Sequence, residues 1–293
     1  MSLKLGIIGG SGLYNFATLD SPKIVNAKDG PFGKPSGDIL SGKIDDIEIF
    51  FLPRHGQNHS FSPSNVPYRA NIEILKRLGC NDIIAISAVG SLKENLSPGT
   101  FVVIDQYIDR TYLRKKTYFD QDIVAHVSMA NPTCDFTSEL LYEAGIAANI
   151  SIIKGGTYLV MEGPQFSTYA ESNLYRSWGC DVIGMTNMPE AKLAREAEIR
   201  YASIAMVTDY DCWREDERNV DVMEIVNTLN NNASKAKDLI RSFVSKFKKN
   251  RNNIIIDGID NCLDNAIISK NVSPDKLKQL GLGAIAKRII NES

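Results

Sequence analysis

Short runs of apolar, largely β-branched residues recur along this chain of 293 residues, separated by stretches with helical periodicity. Most runs lack polar alternation, which is typical of strands buried on both faces of a sheet. The predicted strands are Leu5–Ile8, Ile47–Leu52, Ile83–Ser87, Phe101–Ile104, Tyr158–Met161, Val182–Met185 and Ser203–Val207. The predicted helices are Asn65–Leu78, Thr137–Ala148, Thr168–Trp178, Glu190–Glu198 and Val222–Phe247. This alternation predicts a single α/β domain whose mostly parallel or mixed central sheet is flanked by helices.

Several helix ends have a local cause. Thr168 and Glu171 have the spacing of a capping box. Gly79 and Gly179 stand where helix C-termini are expected, and Pro189 suits the first residue of a helix.

The C-terminal part of the chain reads as an appendage. We expect a catalytic domain over residues 1–249 and a helical extension over 250–293, packed on or beside it. Ser273 and Pro274 form a helix start. The apolar residues Leu277, Leu280 and Ile285 are expected to dock on the main body.

Composition excludes several function classes. The formal net charge is −2, so no general nucleic-acid-binding surface is expected. Five cysteines, an odd number without a C-x-x-C pair, argue against a disulfide framework and against zinc, and favour a reducing, cytoplasmic setting. The N-terminus lacks a signal-peptide layout, and no apolar run approaches the ~18–20 residues of a membrane span. We therefore expect no membrane association.

Polar residues follow the first two strands and suit an anion. The glycines of Gly9-Gly10-Ser11-Gly12 allow a nest of backbone N–H groups, although a tight turn explains them equally well. The spacing excludes both a dinucleotide fingerprint and a P-loop. Arg54 offers a planar fork for phosphate oxygens, and His55 adds a donor whose charge responds near neutral pH. His59 stands four residues from His55, but the glycine and proline around them argue against a helical metal site.

Later strands also end in ligand-binding residue types. Ser87 and Ala88 close a strand at the usual ligand position of open α/β sheets. Phe166 can stack on a flat ring, and Thr186 can bind an anion at a helix N-terminus. Each of these also has a simpler interpretation, as a turn or as core.

Asp209 and Asp211 follow the last strong strand. Two carboxylates so close are costly together unless they recognise something. A purine with an exocyclic amino group is one such partner, and a solvent-facing acidic loop is the alternative. Mg²⁺ is a third possibility, but few oxygen ligands stand nearby.

Taken together, seven segments resemble the methylthioadenosine phosphorylases of the purine nucleoside phosphorylase superfamily. They are Gly6–Leu13 (GIIGGSGL), Pro31–Ser36 (PFGKPS), Arg54–Gly56 (RHG), Tyr68–Ile72 (YRANI), Ile104–Thr111 (IDQYIDRT), Glu162–Ser167 (EGPQFS) and Thr208–Trp213 (TDYDCW). The likeness covers roughly Leu5 to Lys248. It implies a mixed, distorted central sheet flanked by helices and a homotrimer. It also implies phosphorolysis with inorganic phosphate as co-substrate, without a metal or organic cofactor.

The resemblance also implies residue roles. Phosphate is assigned to Ser11, Arg54, His55, Ser87, Ala88 and Thr186. The nucleoside is assigned to Phe166, Ser167, Met185, Asp209, Asp211, Val222, Ile225 and Val226, with His126 lent by a neighbouring subunit. Asp209 is the candidate general acid, and Asp211 would orient it or help bind the amino edge of adenine.

Three rival functions remain at this point. A nucleosidase would use water instead of phosphate, and a 6-oxopurine nucleoside phosphorylase would prefer a different base. A non-catalytic purine-binding module would bind without turnover. Phosphate-dependent release of adenine separates them.

Overall fold

A mixed sheet of eleven strands forms the centre of the fold in the computed structural model, which describes residues 3–10, 19–214, 222–251, 254–270 and 272–292. The strands are β1 (Lys4–Gly9), β2 (Asp20–Val25), β3 (Ile39–Ile44), β4 (Ile47–Pro53), β5 (Asp82–Ser91), β6 (Phe101–Ile104), β7 (Gln106–Asp109), β8 (Ile152–Lys154), β9 (Thr157–Val160), β10 (Val182–Gly184) and β11 (Arg200–Asp209). The helices are α1 (Tyr68–Arg77), α2 (Asp135–Ala147), α3 (Tyr169–Ser177), α4 (Glu190–Glu196), α5 (Val222–Asn250), α6 (Pro274–Gln279) and α7 (Lys287–Glu292), with a 3₁₀ turn at Pro63–Asn65.

The strand order is β2-β3-β4-β1-β5-β10-β9-β7, and β11 pairs with both β5 and β6. Strands β4, β1, β5 and β11 are mutually parallel, so their carboxyl ends meet at one edge of the sheet. Binding residues in open α/β sheets gather at that edge.

Strand β5 changes partners along its length, and this distorts the sheet. Its first half pairs with β1, whereas its last residues, Gly90 and Ser91, pair antiparallel with Ile183 and Val182 of β10. Because β10 runs against β5, the chain that follows β10 returns beside the middle of β5. This return brings Thr186 towards the segment of β5 that carries Ser87.

Both faces of the sheet are covered, as the apolar runs predicted. Ile83 and Ala85 pack with α1, α4 and the C-terminal residues, whereas Ile84 and Ile86 pack with α2 and α5. A third, smaller cluster joins α3 to Trp213. Covering both faces requires continuous apolar strands, which explains the absence of polar alternation in the sequence.

The seven predicted strands and five predicted helices are present, and the mixed α/β prediction is confirmed. The capping box of Thr168 and Glu171 is formed, and Gly79 and Gly179 have positive φ just beyond their helices. Pro189 is the residue before α4 and not its first helical residue, so that prediction was wrong by one position. The predictions missed β2, β3, β7 and β8, which are short or rich in polar residues and carry a weak strand signal.

The C-terminal residues contact the main body through apolar and charged side chains. Leu277 and Ile285 belong to the core cluster on the α1 and α4 face, and Leu280 packs against it. Ser273 caps α6 by accepting a hydrogen bond from the backbone of Lys276. The division of the chain at residue 249 stays a prediction.

Candidate active site

A cavity of about 260 Å³ lies at the sheet edge where β1, β4, β5 and β11 end. Its volume is near the low end of the roughly 300–1,000 Å³ of small-molecule sites. Most of the predicted site residues line it: Arg54, His55, Ser87, Ala88, Phe166, Met185, Thr186, Asp209, Asp211, Ile225 and Val226. Residues far apart in sequence thus meet in one place, with the cationic end of the set facing the same space as the carboxylates.

Four predicted site residues are not among the described residues that line the cavity. Ser11 lies outside the described residues, and Val222 begins α5 but has no described side chain. Ser167 lies beside the cavity without lining it, with its hydroxyl 3.8 Å from the sulfur of Met161. His126 is exposed and does not line this chain's cavity.

Arg54 is buried and held in place by a carboxylate. Its Nε and Nη2 donate to the two carboxylate oxygens of Glu190 at 2.5 and 3.1 Å, and its Nη1 donates to the carbonyl of Ile86 at 3.0 Å. Burial alone would lower the pKa of Arg54, but Glu190 raises it above its ordinary value. Tyr201 donates a further hydrogen bond to Glu190 at 3.0 Å. The arginine is therefore fully charged, and most of that charge is offset locally.

His55 is also committed to a protein partner. Its Nδ1 lies 2.9 Å from the carbonyl oxygen of Phe61, and its ring stacks on His59 with centroids 4.4 Å apart. Burial and the neighbouring Arg54 lower the pKa of His55 to about 4. The imidazole is therefore neutral at neutral pH, which corrects the expectation of a side chain that titrates there.

Hydroxyl groups complete this end of the cavity. The Oγ of Ser87 is buried and makes no well-aligned hydrogen bond among the described residues, although the hydroxyl of Tyr158 lies within reach of it. The Oγ1 of Thr186 lies 3.4 Å from the hydroxyl of Tyr158 and donates to the side-chain oxygen of Asn187 at 3.1 Å. A buried hydroxyl without a partner is costly unless a ligand pairs with it. The arrangement is therefore suited to a tetrahedral oxyanion.

The two aspartates lie at the other end, where β11 is irregular. The register jumps from Val207 opposite Val89 to Asp209 opposite Gly90, so Thr208 forms a bulge. A bulge re-aims the side chains that follow it, and here it precedes Asp209. Asp209 accepts from the hydroxyl of Thr208 at 2.7 Å and from the backbone N–H of Asp211 at 2.8 Å.

Burial raises the pKa of both carboxyl groups. The pKa of Asp209 lies above its ordinary value because the group is buried, against the opposing effect of the Thr208 hydroxyl. The pKa of Asp211 rises to about 6 through burial and the charge of Asp209, although Ser172 donates to it at 2.5 Å. A carboxyl group with a raised pKa holds its proton to a higher pH than an exposed one does, which favours a role as proton donor.

A second buried ion pair holds the loop that carries Phe166. The Nε of Arg114 donates to Glu162 at 3.1 Å, and the same carboxylate accepts from the backbone of Tyr112 and the hydroxyl of Ser64. Arg114 also donates to the carbonyl of Met188 at 2.6 Å. The long connection after β7 is thereby joined to the loops after β9 and β10.

Sequence reasoning missed Glu190, His59 and Thr208 as parts of the site. The local sequence indicates Glu190 only as a helix start, although a buried arginine requires a carboxylate partner somewhere in the chain. The spacing of His59 from His55 raises only the question of a metal site, yet His59 lines the cavity. Nothing in the local sequence indicates the bulge at Thr208.

The described residues contain no group of three or more histidine, cysteine, aspartate or glutamate side chains arranged to hold a metal ion. Among the same residues, no helix has the length and apolar character needed to cross a membrane.

Known proteins resemble this chain in sequence. Residues 4–245 match the Phosphorylase superfamily. A protein of Cereibacter sphaeroides named S-methyl-5′-thioadenosine phosphorylase is 49% identical over 290 residues, which is 99% of each chain. A protein of the same name from Rhodospirillum rubrum is 51% identical over 286 residues, covering 98% of this chain and 97% of that protein.

Solved structures agree with these relatives. A methylthioadenosine phosphorylase from an Antarctic soil metagenomic library superposes with a TM-score of 0.89 at 42% identity, over 97% of this chain and 99% of that one. The methylthioadenosine phosphorylase of Schistosoma mansoni in complex with adenine gives 0.80 at 36% identity, over 85% of this chain and 93% of that one. The sequence match, the sheet and the cavity lead to the same conclusion: the chain belongs to the phosphorylase superfamily.

Proposed function

We propose that this protein cleaves S-methyl-5′-thioadenosine with inorganic phosphate, giving adenine and 5-methylthioribose 1-phosphate. The bond between the purine nitrogen and the anomeric carbon breaks, and a bond from a phosphate oxygen to that carbon forms. The observation that supports this best is the single cavity that combines Arg54 and Ser87 with Asp209 and Asp211.

Phosphate would occupy the end of the cavity lined by Arg54, His55, Ser87, Ala88 and Thr186, with Ser11 as a further contact. The buried hydroxyl of Ser87, which has no well-aligned hydrogen bond among the described residues, supports this assignment. An anion placed beside the sugar stabilises the oxocarbenium-like transition state electrostatically. Phosphate is thus both nucleophile and stabilising charge.

The purine would lie at the other end, between Phe166 and the aspartates. Asp209 protonates N7 of the leaving adenine, because the adenine anion is a poor leaving group. Asp211 and Ser167 accept hydrogen bonds from the amino edge of adenine or orient it. The backbone of Met185 contacts the ribose hydroxyls. The raised pKa of Asp209 supports its role as general acid.

The 5′ substituent would contact α5. Ile225 and Val226 line the cavity, and Val222 is the third member of this proposed apolar wall. A methylthio group suits such a wall better than a hydroxyl, although a difference of this size amounts to only about 1–3 kcal/mol. Adenosine is therefore expected to be a slower substrate.

The direct test is release of adenine with and without phosphate. We expect release from methylthioadenosine that depends on phosphate, slower release from adenosine, and little hypoxanthine from inosine. Release without phosphate would identify a nucleosidase, and faster cleavage of inosine a 6-oxopurine enzyme. Binding of methylthioadenosine without turnover would identify a binding module.

The general acid has its own test. Asp209→Asn is expected to lower kcat by about 10²–10⁴-fold, the usual contribution of one general acid. The exposed Asp46→Asn is the matched control, because it removes the same charge far from the cavity lining. Near-normal turnover by Asp209→Asn would assign the proton to another group.

We further propose a homotrimer in which His126 completes a neighbour's site. Its exposure, and its absence from the lining of its own cavity, support this. Light scattering reports the mass of the assembly. Mixing unfolded Asp209→Asn and His126→Ala chains and refolding them together should recover activity that neither has alone, whereas no recovery would place His126 outside the site.

We also propose which cofactors the reaction needs, the compartment of the protein and the bounds of its catalytic domain. The reaction as written uses phosphate as co-substrate and protein side chains, with no metal or organic cofactor and no nucleic-acid or membrane partner. All five cysteines are free thiols, which supports a reducing, cytoplasmic setting. The match over residues 4–245 supports a catalytic domain of residues 1–249.

A further inference from the structure

Three loops that line the cavity are joined to one another by a buried ion pair. Pro63 lies on the loop after β4, Met161 and Phe166 lie on the loop after β9, and Met185 lies on the loop after β10. In the proposed function the last two loops hold the nucleoside. Because these residues lie beyond the ends of the strands, their relative position depends on contacts between the loops.

Arg114 binds two of these loops at once, and its side chain is fully buried. Its Nη2 donates to the carbonyl oxygens of Glu162 at 2.9 Å and Met161 at 3.3 Å, both on the loop after β9. Its Nη1 donates to the carbonyl oxygen of Met188 at 2.6 Å, on the loop after β10. Since a guanidinium is a rigid planar fork, it fixes the separation of the groups that it binds.

The carboxylate of Glu162 adds the remaining connections. Its Oε1 accepts from Nε of Arg114 at 3.1 Å and from the hydroxyl of Ser64 at 2.5 Å. Its Oε2 accepts from the backbone N–H groups of Tyr112 and Leu113. Burial raises the pKa of Glu162, but these hydrogen bonds outweigh it, and the pKa lies below its ordinary value. The carboxylate is therefore charged at neutral pH and the ion pair is maintained.

The loop after β4 is attached to the same ion pair by a second route. The hydroxyl of Tyr68 accepts from Nη1 of Arg114 at 3.0 Å and donates to the carbonyl oxygen of Pro63 at 2.8 Å. Arg114 thus reaches one wall of the cavity through a single intervening side chain.

Gly163 brings the two nucleoside loops into direct contact. Its φ is +68°, and a Cβ added there would overlap the sulfur of Met185. The loop that carries Phe166 therefore rests on the residue whose backbone we assign to the ribose. A displacement of Glu162 would pass through Gly163 to Met185.

The opposite end of the cavity is fixed by other means. Ser87 lies within β5, where it pairs with Ala205 of β11, and Arg54 is held by Glu190. Among the described residues, the hydrogen bonds of Arg114 reach neither Ser87 nor Arg54. Movement of the two loops should therefore change the binding of the nucleoside more than the binding of phosphate.

We propose that Arg114, paired with Glu162, is a positioning residue for the nucleoside and sets the distance between Phe166 and Met185. This inference rests on the proposed function, since it takes the nucleoside to bind between these two loops. Arg114 does not line the cavity and acts through the loops that it joins. Such supporting groups hold the residues that touch a ligand in the productive geometry.

The first experiment replaces the fork and keeps the charge. In Arg114→Lys one ammonium nitrogen takes the place of three separate donors, so it can pair with Glu162 but cannot serve both loops. We expect the KM for methylthioadenosine to rise by about 10-fold, the effect of one hydrogen bond to a charged group, with the KM for phosphate within about 2-fold of the wild type. Equal rises in both KM values, or a lower Tm with both KM values unchanged, would overturn the inference.

Arg251→Lys is the matched control. Arg251 is also buried and donates to a carboxylate, that of Asp82 at 3.0 Å, and to the backbone carbonyl of Ile254 at 3.3 Å, but it does not line the cavity. This variant should lower Tm and leave both KM values unchanged. A rise in the KM for methylthioadenosine here as well would show that loss of any buried arginine produces the effect.

A second variant displaces the loops without touching the ion pair. Gly163→Ala places a Cβ against Met185 and should raise the KM for methylthioadenosine while the KM for phosphate stays unchanged. Gly179→Ala is its control, because Gly179 also has a positive φ, of +83°, but no atom lies within 4 Å of the added Cβ. Wild-type KM values in folded Gly163→Ala would overturn the inference even if Arg114→Lys did not fold.

A binding measurement separates position from turnover. Calorimetric titration with adenine should show weaker binding to Arg114→Lys and Gly163→Ala than to the wild type and the two control variants. Equal affinity in all five proteins would contradict the inference. These outcomes are distinct from failure of the proposed function, which would appear as the absence of phosphate-dependent adenine release by the wild type.

Discussion

At the scale of single residues, buried charges in this site are matched before any ligand arrives. The side chains of Arg54 and Glu190 are 1% and 0% exposed and form a two-point ion pair. Removing one member of such a pair leaves an uncompensated buried charge, which is strongly destabilising. Asp209 and Asp211 are the exception, because two like charges lie close together and burial raises the pKa of both carboxyl groups.

The variant Glu190→Gln tests whether bound phosphate can replace the carboxylate that pairs with Arg54. Without the carboxylate the Arg54 charge is unpaired, so we expect a lower Tm in phosphate-free buffer and a free energy of unfolding reduced by about 3 kcal/mol. Bound phosphate supplies the missing negative charge, so the rise in Tm on adding phosphate should exceed that of the wild type. Thermal unfolding with and without phosphate measures both.

The control for that variant is Tyr201→Phe, which removes one hydrogen bond to Glu190 and keeps the ion pair. It should lower Tm by a smaller amount and leave the phosphate-induced rise unchanged. An equal phosphate effect in Glu190→Gln and the wild type would show that Arg54 does not meet the anion.

The aspartate pair predicts a pH dependence. The pKa of Asp211 is raised to about 6, so the pair holds an acid proton below that pH and loses it as the pH rises. We therefore expect kcat/KM to fall on the basic side as this group ionises. The Ser172 hydroxyl stabilises the ionised form and lowers the pKa of Asp211, so Ser172→Ala should move the basic limb to higher pH.

The measurement is a pH–rate profile of wild type and Ser172→Ala on methylthioadenosine at saturating phosphate. Ser177→Ala on the same helix is the control, because its hydroxyl donates to the backbone carbonyl of Leu174 and not to Asp211 among the bonds of the described residues. A limb that moves to lower pH in Ser172→Ala would contradict the assignment.

At the scale of elements, the site depends on how closely β5 and β11 approach. The bulge at Thr208 turns Asp209 towards β5, where Gly90 leaves room for it. A Cβ added at Gly90 would lie 3.0 Å from Asp209 Oδ1 and 3.3 Å from Asp211 Cβ. A side chain at this position would therefore push directly on the carboxylate pair.

Gly90→Ala is expected to lower kcat by about 10²-fold while the protein stays folded, because a shift of about 1 Å in a positioned catalytic group costs that much. Gly283→Ala is the control, since the atom nearest to its added Cβ would be 3.9 Å away and it lies between α6 and α7, outside the lining of the cavity. Steady-state rates and circular dichroism of the two variants provide the comparison. Wild-type kcat in Gly90→Ala would show that the aspartates tolerate displacement.

At the scale of the whole molecule, the C-terminal residues are fastened at the edge of the sheet opposite the cavity. Arg200, at the start of β11, forms a two-point ion pair with Asp260, and Arg251 pairs with Asp82 at 3.0 Å. Asp82 stands opposite Arg200 in the β5–β11 register. These charges join Arg251 and Asp260 to the amino ends of the two strands that carry the site.

Asp260→Asn should therefore lower the free energy of unfolding by about 3 kcal/mol, because it leaves the buried Arg200 with a weaker partner. The control is Lys248→Ala, which breaks an exposed pair with Asp46 and should leave stability unchanged. Chemical denaturation measures both. We expect kcat of folded Asp260→Asn to match the wild type, and a large loss of kcat at full folding would instead link the extension to the chemistry.

The sequence by itself determined the elements and the chemical inventory of this protein. Continuous apolar runs required strands covered on both faces, and the residues at strand ends were those that meet at one edge of a sheet. Local periodicity and caps arise from neighbouring residues, so they can be read from the chain. The strands β2 and β7 carry weak local signals, because β2 is largely polar and β7 has four residues, and their strand structure comes from pairing with β3 and β9.

Only the tertiary structure decided the charge and protonation states of those residues and the directions in which their side chains point. Arg54 and Glu190 are 136 positions apart, yet their pairing sets the charge at the end of the cavity where we propose that phosphate binds. The Phe61 carbonyl chooses the tautomer of His55, and the bulge at Thr208 aims Asp209. Each depends on groups brought together by packing, and the energy of a buried charge or hydrogen bond is set by those neighbours and by the exclusion of water.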